Sequence, residues 1–227
     1  MHNPHLFAHI LANSAIAGFT NMLLWFAITF WAYLETHSVF VTGMLGGVYL
    51  ILNLFGGIYF GSLVDHNRKK WIMLASSITS LWFYLVSLMM LLTLPESTWT
   101  NIWSPWLWIF ILISMLGVTA GNIRMIALST IVTIMIPEWE RAKANGQIGA
   151  VNGLVFTVVS VFSGILIGQL GMTWAVGIVI TLTLGLIIHL SALTFPHETH
   201  LDERHEDDKK MDIRGTIRII AGISGLF

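Results

Sequence analysis

One carboxylate, one imidazole and three bases stand together at Asp65, His66, Arg68, Lys69 and Lys70. They interrupt a chain that is 56 % hydrophobic and only 10 % charged. The bland reading is a wet loop between two apolar runs. The sharper one is an ion-pairing latch on a moving part. A second group is polar rather than charged. Asn21, Trp25 and Thr29 recur at i, i+4 and i+8 and therefore share one helix face. Asn122 and Arg124 lie in another apolar run. Polar side chains at membrane depth face a bundle interior or a water-filled cavity, so all five are candidate cavity-lining residues. Arg124 leaves two options. It lies 19 residues after Pro105 and 13 before Pro137, or about 28 and about 20 Å along a helix. That exceeds a bilayer core, so Arg124 either snorkels to the interface or serves a cavity.

The remaining possibilities for chemistry are sparse. No mid-span Asp or Glu is present, and His189 is the one mid-span histidine, which reads first as a packing residue. His197, His200 and His205 lie among carboxylates with metal-like spacing, yet in a segment too polar to fold into a closed site. No cysteine, metallohydrolase, nucleophile-elbow or phosphate-loop pattern occurs. The chain is therefore read as a non-enzyme with no cofactor and no metal. Nothing in it points to nucleic acid.

The elements that must hold these residues are set by hydropathy. Mean hydropathy is +0.78 over 227 residues, and apolar runs long enough to cross a bilayer recur. Spans are expected at about 6–34, 39–63, 71–94, 106–136, 146–170 and 173–195. Pro4, Pro95, Pro105, Pro137 and Pro196 fall at or outside their edges, where a missing N–H costs least. The fold class is thus an all-α membrane protein, with residues 1–195 as a six-helix transmembrane bundle. Residues 196–212 read as a polar linker, rich in acidic residues and histidine. Residues 213–227 read as the start of a seventh, truncated helix.

Every loop Lys or Arg, from Arg68, Lys69 and Lys70 through Arg141 and Lys143 to the bases after residue 203, falls on one side of this topology. The positive-inside rule makes that side, and the N-terminus, cytoplasmic. Trp99, Trp103, Trp106 and Trp174 are expected at the outer membrane boundary, and Trp71 and Trp139 at the inner one. Glycines gather in spans 2 and 5 as the small-xxx-small pairs Gly43/Gly47, Gly57/Gly61, Gly149/Gly153 and Gly164/Gly168. Such pairs serve close helix packing, within the bundle or against a partner bundle. Spans 2 and 5 hold equivalent places in a 3+3 inverted repeat.

The stretch from Gly61 to Met73 resembles the signature between helices 2 and 3 of the major facilitator superfamily. Gly61, Leu63, Asp65, the Lys69–Lys70 pair and Met73 match it, while His66 and Arg68 replace its usual Arg and second Gly. "PEWERAKANG" stands in the equivalent place between spans 4 and 5, and "LETHSVFVTG" resembles the drug-exporter branch. The resemblance implies a twelve-helix carrier of two six-helix halves, of which this chain is the N-terminal half. It implies alternating access around a small-molecule site, with spans 1 and 4 lining the cavity and spans 2 and 5 facing the other half. It also implies a latch of Gly61, Leu63, Asp65, Arg68, Lys69 and Lys70. Span 5 lacks the proline of the antiporter motif, which leaves export and import both open. The expected setting is the inner (plasma) membrane. The expected partners are the lipid bilayer, a missing C-terminal half or partner chain, and a proton as candidate coupling ion. The competing reading is a truncated bundle with no transport activity of its own.

Overall fold

The computed structural model describes residues 4–193. The expected linker, the expected seventh helix and His197, His200 and His205 lie outside these residues. The described chain is helical: α1 Pro4–Thr36, α2 Val39–Asp65, α3 Lys69–Thr93, a short α4 Ser97–Thr100, α5 Pro105–Met135 and α6 Glu138–Ala192. Among the described residues, five helices are long and apolar enough to cross a membrane.

Local chemistry explains the boundaries. α1 ends where His37 turns left-handed, with φ 50°. Ser38 then caps α2 by accepting the Val41 amide at 3.4 Å. α5 begins with Pro105 at its first position, where the ring removes only an orphan donor. α5 and α6 are separated by Ile136 and Pro137 alone. Residues 138–145 were expected as a loop, and here the structure differs: they are the first turns of α6. Strong helix formers fill that stretch, and Glu138 and Glu140 sit in the first turn, where the positive end of the helix dipole favours them.

α6 has 55 residues, about 80 Å of helix against a ~30 Å bilayer core. Gly171 breaks it with φ 80° and ψ 179°. Ala144 packs with Phe7 near one end of α1. Leu190 packs with Leu6 and Ile10 at that same end. Residues 138–170 and 172–192 are therefore two antiparallel arms, and the chain reverses at Gly171. That backbone conformation is essentially closed to residues with a Cβ.

One apolar cluster occupies the end of the bundle that holds the N-terminus of α1 and the α2–α3 junction, with Leu6, Ile10, Val64, Ile72, Met73 and Leu190. A larger one fills the other end and the middle. It contains a correction. Trp99 was expected in the membrane boundary, but it is only 5 % exposed. Its ring lies 5.6 Å from Trp31 and 5.4 Å from Phe110. The short α4 folds it inward, so this indole seals a helix gap. Trp103, Trp106, Trp174, Trp71 and Trp139 are exposed.

Serines join α3 to α5. Ser76 donates to Ala120 O at 2.7 Å, Ser80 donates to Gly117 O at 2.8 Å, and Ser87 pairs with Ser114 at 2.8 Å. Small hydroxylic residues permit close approach and add interhelical bonds, the usual cohesion of helices in lipid.

The reversal yields a sharp expectation. Gly171→Ala should destabilise the detergent-solubilised bundle by about 1–3 kcal/mol, because alanine is strained in that conformation. Gly168→Ala, where an added methyl meets nothing within 4 Å, should leave the thermal midpoint nearly unchanged. Equal midpoints for the two variants would contradict the assignment of the turn.

Candidate functional site

The polar residues of four helices converge in the bundle interior. Asn21 of α1 donates to Val118 O at 3.2 Å and to Asn122 Oδ1 at 3.3 Å, both on α5. Tyr84 of α3 donates to Asn21 Oδ1 at 3.0 Å. Asn122 in turn donates to Asn53 Oδ1 at 2.8 Å and to the Tyr49 hydroxyl at 3.1 Å, both on α2. Each amide thus uses both its donor and acceptor ends, which is what burial of an amide in an apolar bundle demands.

Arg124 lies two residues after Asn122 on α5. It is 3 % exposed, so it does not snorkel. Its guanidinium donates to Met73 O at 3.1 Å and to Ser77 Oγ on α3, and to Asn13 Oδ1 on α1. All three acceptors are neutral. Asn13 is held in place by bonds of its own, at 3.0 Å to Leu186 O and 3.0 Å to His189 Nδ1. His189 is therefore a half-buried packing partner of Asn13, with the exposed His9 ring 5.7 Å from its own.

Between α1, α2, α5 and the first arm of α6 lies a cavity of about 280 Å³. Asn21, Trp25, Asn122 and Arg124 line it, and so do Tyr49 and Asn152. Thr29 lies outside its wall, with its hydroxyl bonded to Trp25 O at 2.8 Å. Apolar walls come from Met22, Phe26, Met125 and Phe156. Gly121 lets the Asn21 amide pack directly on α5 beside the cavity: a Cβ there would collide with that amide. Gly117 plays the same part for the Tyr84 ring, which a Cβ would meet at 2.5 Å.

The charged junction at residues 65–70 is built differently. α2 ends at Asp65, whose side chain is exposed, and Arg68 precedes α3. Lys69 is 7 % exposed. Its ammonium donates to Val64 O at 2.5 Å and to Asp65 O and Asn67 O at 3.2 Å each. It thereby caps the carbonyls that α2 leaves open. Lys70 donates to Ser191 O at 2.9 Å and Leu193 O at 2.5 Å, and so caps α6. Arg141 does the same for α5 through Ile136 O at 3.0 Å and Thr133 O at 2.7 Å. Leu63 is half-buried on the adjacent apolar cluster, and Gly61 faces open space.

The glycine pairs are open as well. An added Cβ at Gly43, Gly47, Gly57, Gly149, Gly153 or Gly168 meets nothing within 4 Å, and at Gly164 only Phe30 at 3.8 Å. Around them Leu50, Leu54, Phe55, Leu154 and Val161 are each more than 60 % exposed.

Sequence reasoning missed Tyr49, Asn53, Ser77 and Tyr84. Their signals were present: Tyr49 and Asn53 are spaced i, i+4, and Ser77 and Tyr84 stand two turns apart. A tyrosine or serine in an apolar run is too common to mark alone. Only the partner helix shows that it is used.

A helical bundle with a largely apolar cavity that several helices line with a few polar groups fits a membrane transporter of the polytopic carrier class. Sequence comparison agrees. The family description Major Facilitator Superfamily matches residues 10–224, and the chain belongs to that superfamily. No curated protein and no solved structure matches it.

If Gly121 admits the Asn21 amide, Gly121→Ala should drive that amide away from Asn122 and destabilise the bundle by about 1–3 kcal/mol. Gly149→Ala should cost almost nothing in the isolated chain. Thermal unfolding in detergent measures both, and an unperturbed Gly121→Ala midpoint would refute this packing.

Proposed function

We propose that residues 4–193 form one six-span half of a secondary transporter that moves a small organic molecule by alternating access. The supporting observation is the cavity itself, which is bounded by α1, α2, α5 and the first arm of α6 and lies beside the open glycine faces. The two arms of α6 supply spans five and six of a 3+3 inverted repeat. A second six-helix bundle, on the same or another chain, is proposed to cover the faces of α2 and the first α6 arm. Small-residue faces suit that role because rocking requires close but sliding contact.

In this reading the latch is divided between two kinds of residue. Lys69 and Lys70 cap helices and hold the junction rigid. Asp65 and Arg68, exposed on that rigid corner, meet the other bundle when the cavity closes on their side. Gly61 and Leu63 set the height of the corner. The basic loops at this end support a cytoplasmic side for it and for the N-terminus, in a plasma membrane that the chain is proposed to span. Export of drugs or metabolites is the proposed direction. A proton is the proposed coupling ion, drawn from an ionisable group of the second bundle, since the mid-spans described here offer no carboxylate.

The test is transport in proteoliposomes that hold both bundles. Asp65→Asn should slow the transport cycle about tenfold or more, a typical size for a coupling contact, with insertion and thermal stability unchanged. Wild-type rates in that variant would remove the latch.

A further inference from the structure

Three side chains that line the cavity each carry a buried polar atom with no hydrogen-bond partner: Ser14 Oγ, Trp25 Nε1 and Arg124 Nε. Buried polar groups are almost always paired, so three orphans on one cavity wall call for an explanation. Their chemistry is one-sided. Guanidinium and indole N–H groups only donate, and a serine hydroxyl can donate. No Asp or Glu lines the cavity. The guanidinium is 97 % buried by its 3 % exposure and bonds only neutral acceptors. An uncompensated buried cation is costly, and an arriving anion relieves that cost.

We propose that this cavity selects amphipathic organic anions, with a carboxylate or phosphate at Arg124 and Ser14 and an apolar body against Phe26, Met125 and Phe156. The assignment rests on the transporter reading and adds the charge of the cargo to it. Arg124 supplies a fixed charge that strengthens hydrogen bonds to an ionised acceptor. Trp25 stands three turns along α1 from Ser14, beyond reach of the same anionic group, and belongs to the aromatic wall with Phe26 at 5.2 Å and Tyr49 at 6.0 Å between ring centroids. The aromatic and thioether walls take a flat or flexible hydrocarbon and gain nothing from a small hydrated ion. A cationic drug would meet the guanidinium with no carboxylate to offset it.

Equilibrium dialysis of the purified chain in detergent tests this with three probes of one shape: naphthoate, naphthamide and naphthyltrimethylammonium. Naphthoate should bind about tenfold or more tightly than the uncharged amide, as expected for a charge-assisted contact, and the ammonium probe should bind weakest. Arg124→Gln should erase the preference between naphthoate and naphthamide, while Arg124→Lys should retain part of it. A purely structural arginine would alter stability and leave that preference in place. Should Arg124→Gln fail to fold, Ser14→Ala removes one donor, and it should lower naphthoate affinity more than naphthamide affinity. Equal affinity of the three probes, a preference that survives all these substitutions, or no naphthoate binding overturns the anion assignment. Preferred binding of the ammonium probe also overturns it and leaves the transporter reading standing, because that reading is decided separately by transport with Asp65→Asn.

Discussion

The Asn21 amide is the contact on which the rest of the bundle is arranged. Helices in lipid gain little from hydrophobic burial against each other, so shape and interhelical hydrogen bonds set their relative positions. Asn21 and Asn122 together bond α1, α2, α3 and α5. Gly121 admits one amide against the α5 backbone, and Gly117 admits the tyrosine that bonds to it. Remove either approach and the polar groups still have to be satisfied. The cavity lies beside this network, with Asn21, Gly121 and Asn122 in its wall.

Charge is then distributed by how each site can compensate it. At the loop end, Lys69, Lys70 and Arg141 each donate to the open carbonyls of α2, α6 and α5. These bases favour one side of the membrane and, in the same positions, neutralise the negative ends of three helix dipoles. Arg124 has no such helix end. It is held inside by Asn13, Ser77 and a carbonyl, and its Nε has no partner. One kind of cation is fully used by the fold, whereas the other has capacity left over. That difference is why the proposed anion is assigned to Arg124.

Much of this was legible in the sequence, and the gaps have physical causes. Prolines and hydropathy located the helices closely, because a bilayer forces length and apolarity on every span. The offset of Gly61, Leu63 and Asp65 to the Lys pair pointed to the family. Asn21, Trp25, Asn122 and Arg124 were visible as polar residues in apolar runs, and the structure gathers them on one cavity. The direction of Arg124 was not visible. A guanidinium on a long helix can reach outward or inward, and the choice depends on Asn13 and Ser77, which lie 111 and 47 residues away in sequence. Trp99 misled for a related reason. An indole in a loop reads as a membrane anchor until a four-residue helix turns it against Trp31 and Phe110.

The glycines show how one residue type divides between two purposes. Spacing alone gives Gly43/Gly47 and Gly149/Gly153 the form of packing motifs, yet nothing in this bundle approaches them. Gly117 and Gly121 also stand four apart, and there side chains of α3 and α1 fill the space a methyl would need. The close contacts are therefore made within the bundle by α5, while α2 and the first α6 arm keep their glycine faces clear among exposed Leu50, Leu54, Leu154 and Val161. A face that is smooth, apolar and unpaired on two helices beside a cavity suits a surface that must slide against another. A face locked by side chains does not. The motif G-x-x-x-G states only that an approach is permitted. Which helix makes it, and whether it is fixed or movable, is decided by what stands opposite.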